Sequence, residues 1–327
     1  MYRPFVTVVV RSYKRPGPLL QLVECLRAQC YERFEVLICE QSEDPELVKC
    51  LLAILDPRIR LMVTPPLGCT GARNQGVLHA KGEIVIFIDD DDLPVRNDWI
   101  QCHVDNFRDP NCQGVSGRLA DSMADADRLR TSARARNKVM TTTFWKDTKC
   151  FSWLGERKKG IDTLFGTNCS LRKSLCGRIG GWDEDFRYGE EHSFFFRWHK
   201  SKMPKEYFVH DPKPVIWRRT DVEGGCERRV RGCWYLREFD ARVKAYFRVV
   251  AYYYPVRFWL LLPLFLVRMV VQMWQWIFDE DNRGQRLPVR LLACLLVLVQ
   301  LPVAVVRHGM LRVGKPIKRM PVLRASE

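Results

Sequence analysis

The sequence has 327 residues, 47% of them hydrophobic and 11% aromatic, enough apolar material for one large packed domain or two ordinary ones, which excludes a disordered chain. Its net charge of +15 is unevenly spread: residues 1–199 hold 29 basic and 27 acidic side chains, and residues 200–327 hold 24 and 11. Thirteen cysteines are scattered with no CxxC pair and no visible secretory signal pattern, so reduced cytosolic thiols are expected and a disulfide framework is not.

In chain order, "FVTVVVR" (5–11) is β-branched and continuous, as a strand buried on both faces would be. "RPGPLLQLVECLRAQ" follows with Leu19, Leu22, Val23 and Leu26 in helical spacing. "FEVLICE" (34–40) reads as a second strand, and "DPELVKCLLAILD" as a helix carrying Leu47, Leu51 and Leu55 on one face. A third strand is expected over 59–63, a helix over "TGARNQGVLHAKG" up to Gly82, and a fourth strand over "EIVIFID" (83–89). This βαβαβαβ alternation predicts an α/β fold, a Rossmann-like, mostly parallel sheet flanked by helices, with ligands at the carboxyl ends of the strands.

Asp89, Asp90, Asp91 and Asp92 stand at such an end. Four adjacent carboxylates repel, each close pair costing on the order of a few kcal/mol at an effective dielectric near 20, so a counter-charge is expected. Oxygen-only ligands at a strand tip suit a hard divalent cation, Mg2+ or Mn2+, completed by water and a diphosphate. An acidic N-cap leading into a helix from about Arg96 would explain one or two of the four, not all. Residues 125–160 lack clear periodicity and read as a solvated loop or a flap over the diphosphate.

The basic excess of the last third surrounds two apolar stretches, "FWLLLPLFLVRMVVQMWQWIF" (258–278) and "VRLLACLLVLVQLPVAVV" (289–306), joined by "DEDNRGQRLP". Each approaches the roughly 20 residues that span a bilayer, although Arg268, Gln272, Gln275, Gln300 and Pro302 interrupt them. A hairpin or two transmembrane helices, or helices lying in the interface, are the expected forms. Basic flanks and an acidic turn would place the main domain on the cytoplasmic face of a membrane. The alternative is a pair of core helices in a soluble subdomain.

The blocks "VTVVVRSYKRP", "FEVLICEQSED", "GCTGARNQGVLHAKGEIVIFIDDDD" and "GGWDEDFRYGEEHSFFFRW" fall in the order and spacing of a known family. Over about residues 3–220 the chain resembles the family 2 inverting glycosyltransferases, which have the GT-A fold. The resemblance implies a glycosyltransferase domain over 1–220, with a nucleotide-binding half (1–120) and an acceptor half (121–220), followed by a helical membrane-associated tail over 221–327.

Residue by residue, the resemblance implies a DxD pair, with Asp91 on the metal and Asp89 on the ribose or a metal-bound water. Ser12, Tyr13 and Arg73 would line the donor pocket together with Asp90, Glu40 would read the base, and Asn168 would point at the donor sugar. Trp182 and Asp183, after Gly180 and Gly181, read either as a wall of the acceptor pocket or as a structural turn, and His210 either as a help in holding the metal or a phosphate or as a structural residue after a strand. The catalytic base would come from the pair Glu190 and Glu191, with the choice between them open. The donor would be a nucleotide sugar, a UDP-sugar in first place, and the acceptor a lipid-linked or membrane-proximal glycan. Arginines interleaved with Leu/Val/Trp runs suit lipid and not nucleic acid. The rival readings are a non-catalytic membrane adaptor and, behind it, a sugar-phosphate nucleotidyltransferase.

Overall fold

A computed structural model describes residues 2–120, 122–126, 138–141, 147–150, 155–184 and 190–219, with scattered helical positions between 263 and 306. The first half follows the expected alternation: β1 (Val6–Ser12), α1 (Pro16–Arg27), β2 (Phe34–Glu40), α2 (Pro45–Leu52), β3 (Ile59–Val63), α3 (Gly68–His79) and β4 (Ile84–Asp89). Then come β5 (Asp92–Pro94), α4 (Trp99–Asp105), β6 (Cys112–Ala120), α5 (Met123–Ala126), β7 (Lys138–Thr141), β8 (Asp147–Cys150) and β9 (Lys158–Ile161). β10 (Cys169–Arg172), α6 (Lys173–Ile179), α7 (Glu190–Ser201) and β11 (Tyr207–Arg218) complete the described elements.

The main sheet runs β3-β2-β1-β4-β10-β6-β11-β5, with β9 also on β11. Its first four strands are parallel, β10 is antiparallel to both neighbours, and β6 and β11 are parallel to each other. Strand alternation sorts the core into two layers. Val8, Val10, Val36, Ile38, Ile86 and Ile88 share one apolar cluster with α1 through Leu19, Leu22, Val23 and Leu26. Val9, Leu37, Val85 and Phe87 share the other with Ala72 and Val77 of α3 and the aromatic residues of α7.

Local chemistry sets the helix ends. Pro16 begins α1 with a pre-set φ, and Asp44 caps α2 by accepting from the amides of Glu46 and Leu47 at 3.0 and 3.2 Å. Gly76 lets α3 lie close on β1, since a Cβ there would fall 2.3 Å from a methyl carbon of Val9. α2 stops at Leu52, so Leu55, expected on its buried face, is instead 93% exposed. Most of the 125–160 segment and most of the two apolar tail stretches lie outside the described residues. Among the described residues no helix is long and apolar enough to cross a membrane.

Candidate active site

The strand-tip carboxylates meet their counter-charge inside the chain. Parallel register puts Arg11 of β1 beside Asp89 of β4, where its guanidinium forks onto both carboxylate oxygens, Nε to Oδ1 at 2.7 Å and Nη2 to Oδ2 at 2.6 Å. Arg15, just ahead of α1, places Nη2 at 2.8 Å from Asp90 Oδ1 and donates from Nη1 to Asp91. The other oxygen of Asp90 accepts from the Tyr13 amide at 3.3 Å. The Thr167 hydroxyl donates to Asp92 at 2.7 Å and accepts from the Asp89 amide at 3.1 Å.

Burial and pairing divide these acids. Burial works to raise the Asp89 carboxyl, but the Arg11 fork overcomes it and holds the group below its ordinary value. Asp90 is pushed up to about 7 by burial, against the pull of Arg15. Asp92 is driven well above the usual carboxylate range by burial and then by the charges of Asp89 and Asp91. The cluster thus escapes the full repulsion of four charges.

Asp89, Asp91 and Asp92 each offer a carboxylate oxygen, all within 4.8 Å of one another. Three hard oxygen donors at that spacing fit Mg2+ or Mn2+, whose remaining coordination positions water and phosphate oxygens would fill. Asp90 is turned to the Tyr13 amide and Arg15, a supporting position. His210 does not join this group. It pairs with Ser116, four β6 residues before the Trp217–Ala120 pair that adjoins Asp92, a separation of ~13 Å along the sheet.

The residues expected to meet the nucleoside lie at the ends of β1 and β2. Ser12 and Glu40 are register partners, both buried. Glu40 Oε1 accepts from the Ser42 amide, while its Oε2, the Ser12 hydroxyl and the Thr64 hydroxyl are buried with no partner among the described residues. A carboxylate oxygen left this way costs about 1–3 kcal/mol, and a ligand N–H would recover it. Tyr13 stands half-buried beside them with the Lys14 ammonium 5.2 Å from its ring centroid.

The acidic pair opens α7, packed against α3. Buried Arg73 donates to Glu190 Oε1 at 2.6 Å and to the Gly166 carbonyl at 2.8 Å. Burial opposes ionisation of Glu190, but Arg73 outweighs it and keeps that carboxyl below its ordinary value. Glu191 has no ion pair among the described residues: burial, and then the neighbouring Glu190 charge, lift it to about 7. It borders Gly166, where a Cβ would fall 2.6 Å from Glu191 Oε1 and 2.5 Å from Arg73 Nη2.

Two of the expected ligand-facing residues do other work. Trp182 is 3% exposed, stacked on Phe194 at 4.5 Å and edge-on to Phe87 at 4.9 Å, so it floors Arg73 and offers no open wall to a glycan. Asp183 is fully buried beside it. Asn168 spends its whole amide in the core, accepting from Trp99 Nε1 (2.8 Å) and bonded to His103 Nε2 (3.1 Å), and donating to the carbonyls of Arg118 (2.8 Å) and Pro214 (3.0 Å). Its capacity is full.

Other residues the motif reading passed over carry the geometry. Arg11, Arg15 and Thr167 order the aspartates, and Asn74 clasps the "GGWDE" turn, donating to Trp182 O (2.9 Å) and Glu184 Oε1 (3.1 Å) and accepting from Trp182 N (2.8 Å). The sequence signal for the arginines was the unbalanced acidic run itself, with two arginines at the end of the neighbouring strand.

Comparison with known proteins identifies the architecture. The family model described as glycosyl transferase family 2 matches residues 7–180. Protein y4gI of Sinorhizobium fredii is 34% identical over 240 residues, 70% of this chain and 24% of its own length. WfgD of Escherichia coli, a UDP-Glc:alpha-D-GlcNAc-diphosphoundecaprenol beta-1,3-glucosyltransferase, is 27% identical over 93 residues, 28% of this chain and 37% of its own. The chain thus spans well under half the length of these relatives. Among solved structures, a mannosyltransferase from Pyrobaculum calidifontis in complex with GDP-Man and Mn2+ superposes with a TM-score of 0.55 at 18% identity, over 95% of this chain and 88% of that one. S. aureus TarS 1-349 in complex with UDP-GlcNAc gives 0.51 at 13%, over 75% and 67%. The shared fold is GT-A.

Proposed function

The chain belongs to glycosyl transferase family 2, and from that premise we propose that it is a metal-dependent, inverting glycosyltransferase that moves a sugar from a UDP-sugar to a hydroxyl of a lipid-linked or membrane-proximal glycan. The observation that carries this reading is the meeting of two acid sets around shared guanidinia. Arg11 lies within electrostatic reach of Asp89 and Glu190, and so does Arg73. Donor carboxylates and acidic pair therefore serve one reaction centre.

A divalent ion on Asp91, with Asp89 and Asp92, would neutralise charge developing on the departing diphosphate. Ser12, Tyr13 and Glu40 hold the nucleoside, the free Glu40 oxygen accepting a ring N–H. Arg73 keeps Glu190 ionised and immobile. Glu191 takes the proton from the attacking hydroxyl, a task suited to a carboxyl lifted to about 7, and a single displacement inverts the anomeric centre.

The acceptor class draws support from two E. coli relatives, both named as glucosyltransferases acting on GlcNAc-diphosphoundecaprenol. It also draws on the tail, where described helical residues such as Leu264, Val267, Leu292, Leu295 and Val299 expose apolar side chains that an adjacent bilayer would cover. On this reading the enzyme works at the cytoplasmic face of a membrane, the side on which the basic flanks of the tail would lie. The test is transfer from UDP-, GDP- and dTDP-sugars, with and without Mn2+, to a polyprenyl diphosphate-linked sugar and to the same sugar free. A Mn2+-dependent rate with one UDP-sugar, confined to the lipid-linked acceptor, is expected. Equal rates on both acceptors would refute the lipid assignment, and metal-independent turnover the role of the aspartates.

A further inference from the structure

We propose that Arg15 is an internal counter-ion of the cation seat: it holds Asp90 and Asp91 while no metal is bound, then yields Asp91 to the arriving divalent ion and turns its guanidinium to the diphosphate. The inference rests on the proposed seat of Asp89, Asp91 and Asp92.

The two arginines at the strand tip are built differently. Arg11 belongs to a strand paired on both sides and closes both oxygens of one carboxylate in a fork. That arrangement is fixed by the sheet. Arg15 lies outside the strand and divides its guanidinium between two carboxylates, with one nitrogen on Asp90 at 2.8 Å and the other on Asp91. Its third nitrogen, Nε, is buried and has no partner among the described residues. A guanidinium presents five N–H donors, so Arg15 has unused donors beside the place where the carboxylates gather, and a phosphate oxygen would satisfy them.

Asp91 is the residue contested. Its side chain has Arg15 as its hydrogen-bond partner among the described residues, and it is also one of the three groups whose oxygens converge within 4.8 Å. A divalent ion among those oxygens and a guanidinium on the same carboxylate would repel each other at short range. Asp90 stays behind to anchor the side chain, since the Tyr13 amide already fixes its other oxygen. The backbone at Arg15 is held as well, its carbonyl accepting from the Leu19 amide at 3.1 Å, so the change needs side-chain rotation alone.

The experiment titrates Mn2+ into the full chain without nucleotide, following the free-ion signal by electron paramagnetic resonance, for wild type, R15Q, R15K and D91N. Circular dichroism and thermal unfolding check that each variant is folded. R15Q should bind Mn2+ about tenfold more tightly, the worth of one charge-assisted contact that no longer competes, and R15K should fall between. With Mn2+ saturating, UDP should bind R15Q about tenfold more weakly, because the donors that would meet the diphosphate are gone. Mn2+ affinity in R15Q equal to or weaker than wild type overturns the counter-ion, and R15K read the same way decides the matter if R15Q does not fold. Failure of both wild type and R15Q to bind Mn2+, or undiminished binding to D91N, overturns the seat and this inference with it.

Discussion

Replacing each member of the acidic pair by glutamine should lower turnover in both cases and move stability in opposite directions. Glu191 is lifted from an ordinary 4.5 to about 7 by burial and by Glu190. The unfolded chain releases this proton near pH 4.5 and the folded one near 7, so the fold binds more protons across that window and loses stability as pH rises through it. At about 1.4 kcal/mol per pH unit, holding Glu191 ionised costs the fold about 3 kcal/mol above pH 7. Glu191→Gln removes that cost, so at pH 8 the variant should resist urea better than wild type, while at pH 4 the two should coincide. Glu190→Gln strips the buried Arg73 guanidinium of its 2.6 Å partner and should lose about 3–5 kcal/mol at pH 8, a loss that shrinks as pH falls through the lowered carboxyl of Glu190. In transfer assays Glu191→Gln should lower kcat by about 10²–10⁴-fold while binding of Mn2+ and UDP persists, and wild-type kcat/KM should rise with pH through a limb near 7. A Glu191→Gln enzyme that keeps more than about a tenth of wild-type kcat, far above that range, or a gain of stability in Glu190→Gln, would refute this division of labour.

Asn74→Ala should cost about 2–4 kcal/mol in urea melts, since it orphans both the amide and the carbonyl of buried Trp182, and kcat should fall because that turn leads into the acidic pair. Gly166→Ala sets a methyl within 2.6 Å of both Arg73 and Glu191, so kcat should drop by at least about tenfold with UDP affinity, measured calorimetrically, unchanged. Asp91→Ala should eliminate Mn2+-dependent sugar-nucleotide turnover in a protein that still melts cooperatively, because the loss of one charge from a crowded acidic tip relieves repulsion in the fold.

The parallel half of the sheet is legible from the residues because its strands are buried on both faces and therefore read as unbroken apolar runs, "VTVVV", "EVLIC" and "IVIFI". β6, "CQGVSGRLA", is just as buried yet carries glutamine, serine, arginine and two glycines, and no apolar pattern marks it as a strand. β11 hides differently, since Pro212 and Pro214 break its pattern where the register with β6 slips between His210 and Val215. Leu55 failed for a local reason: α2 ends three residues before it, although the helical spacing of leucines runs on.

Side-chain roles were harder to read than strands, and the cause is sequence distance. A motif names the residue whose chemistry is needed, but not the partner that settles what the residue can do. Asn168 and Trp182 carry the right chemistry for a ligand and are consumed by Trp99, His103 and Phe194. Glu190 and Glu191 are indistinguishable as letters, and a guanidinium 117 positions earlier in the chain separates them into a locked ion pair and a raised carboxyl. The four aspartates follow the same rule: a residue 78 positions away takes both oxygens of Asp89, and one 76 positions away takes part of Asp91. The strand-tip acids therefore differ in the strength of the cation each already holds. Of the three acids of the proposed seat, Asp91, whose guanidinium is divided between two carboxylates, is therefore the one that exchanges its partner for an incoming metal, while Asp89 would join the seat with its Arg11 fork kept.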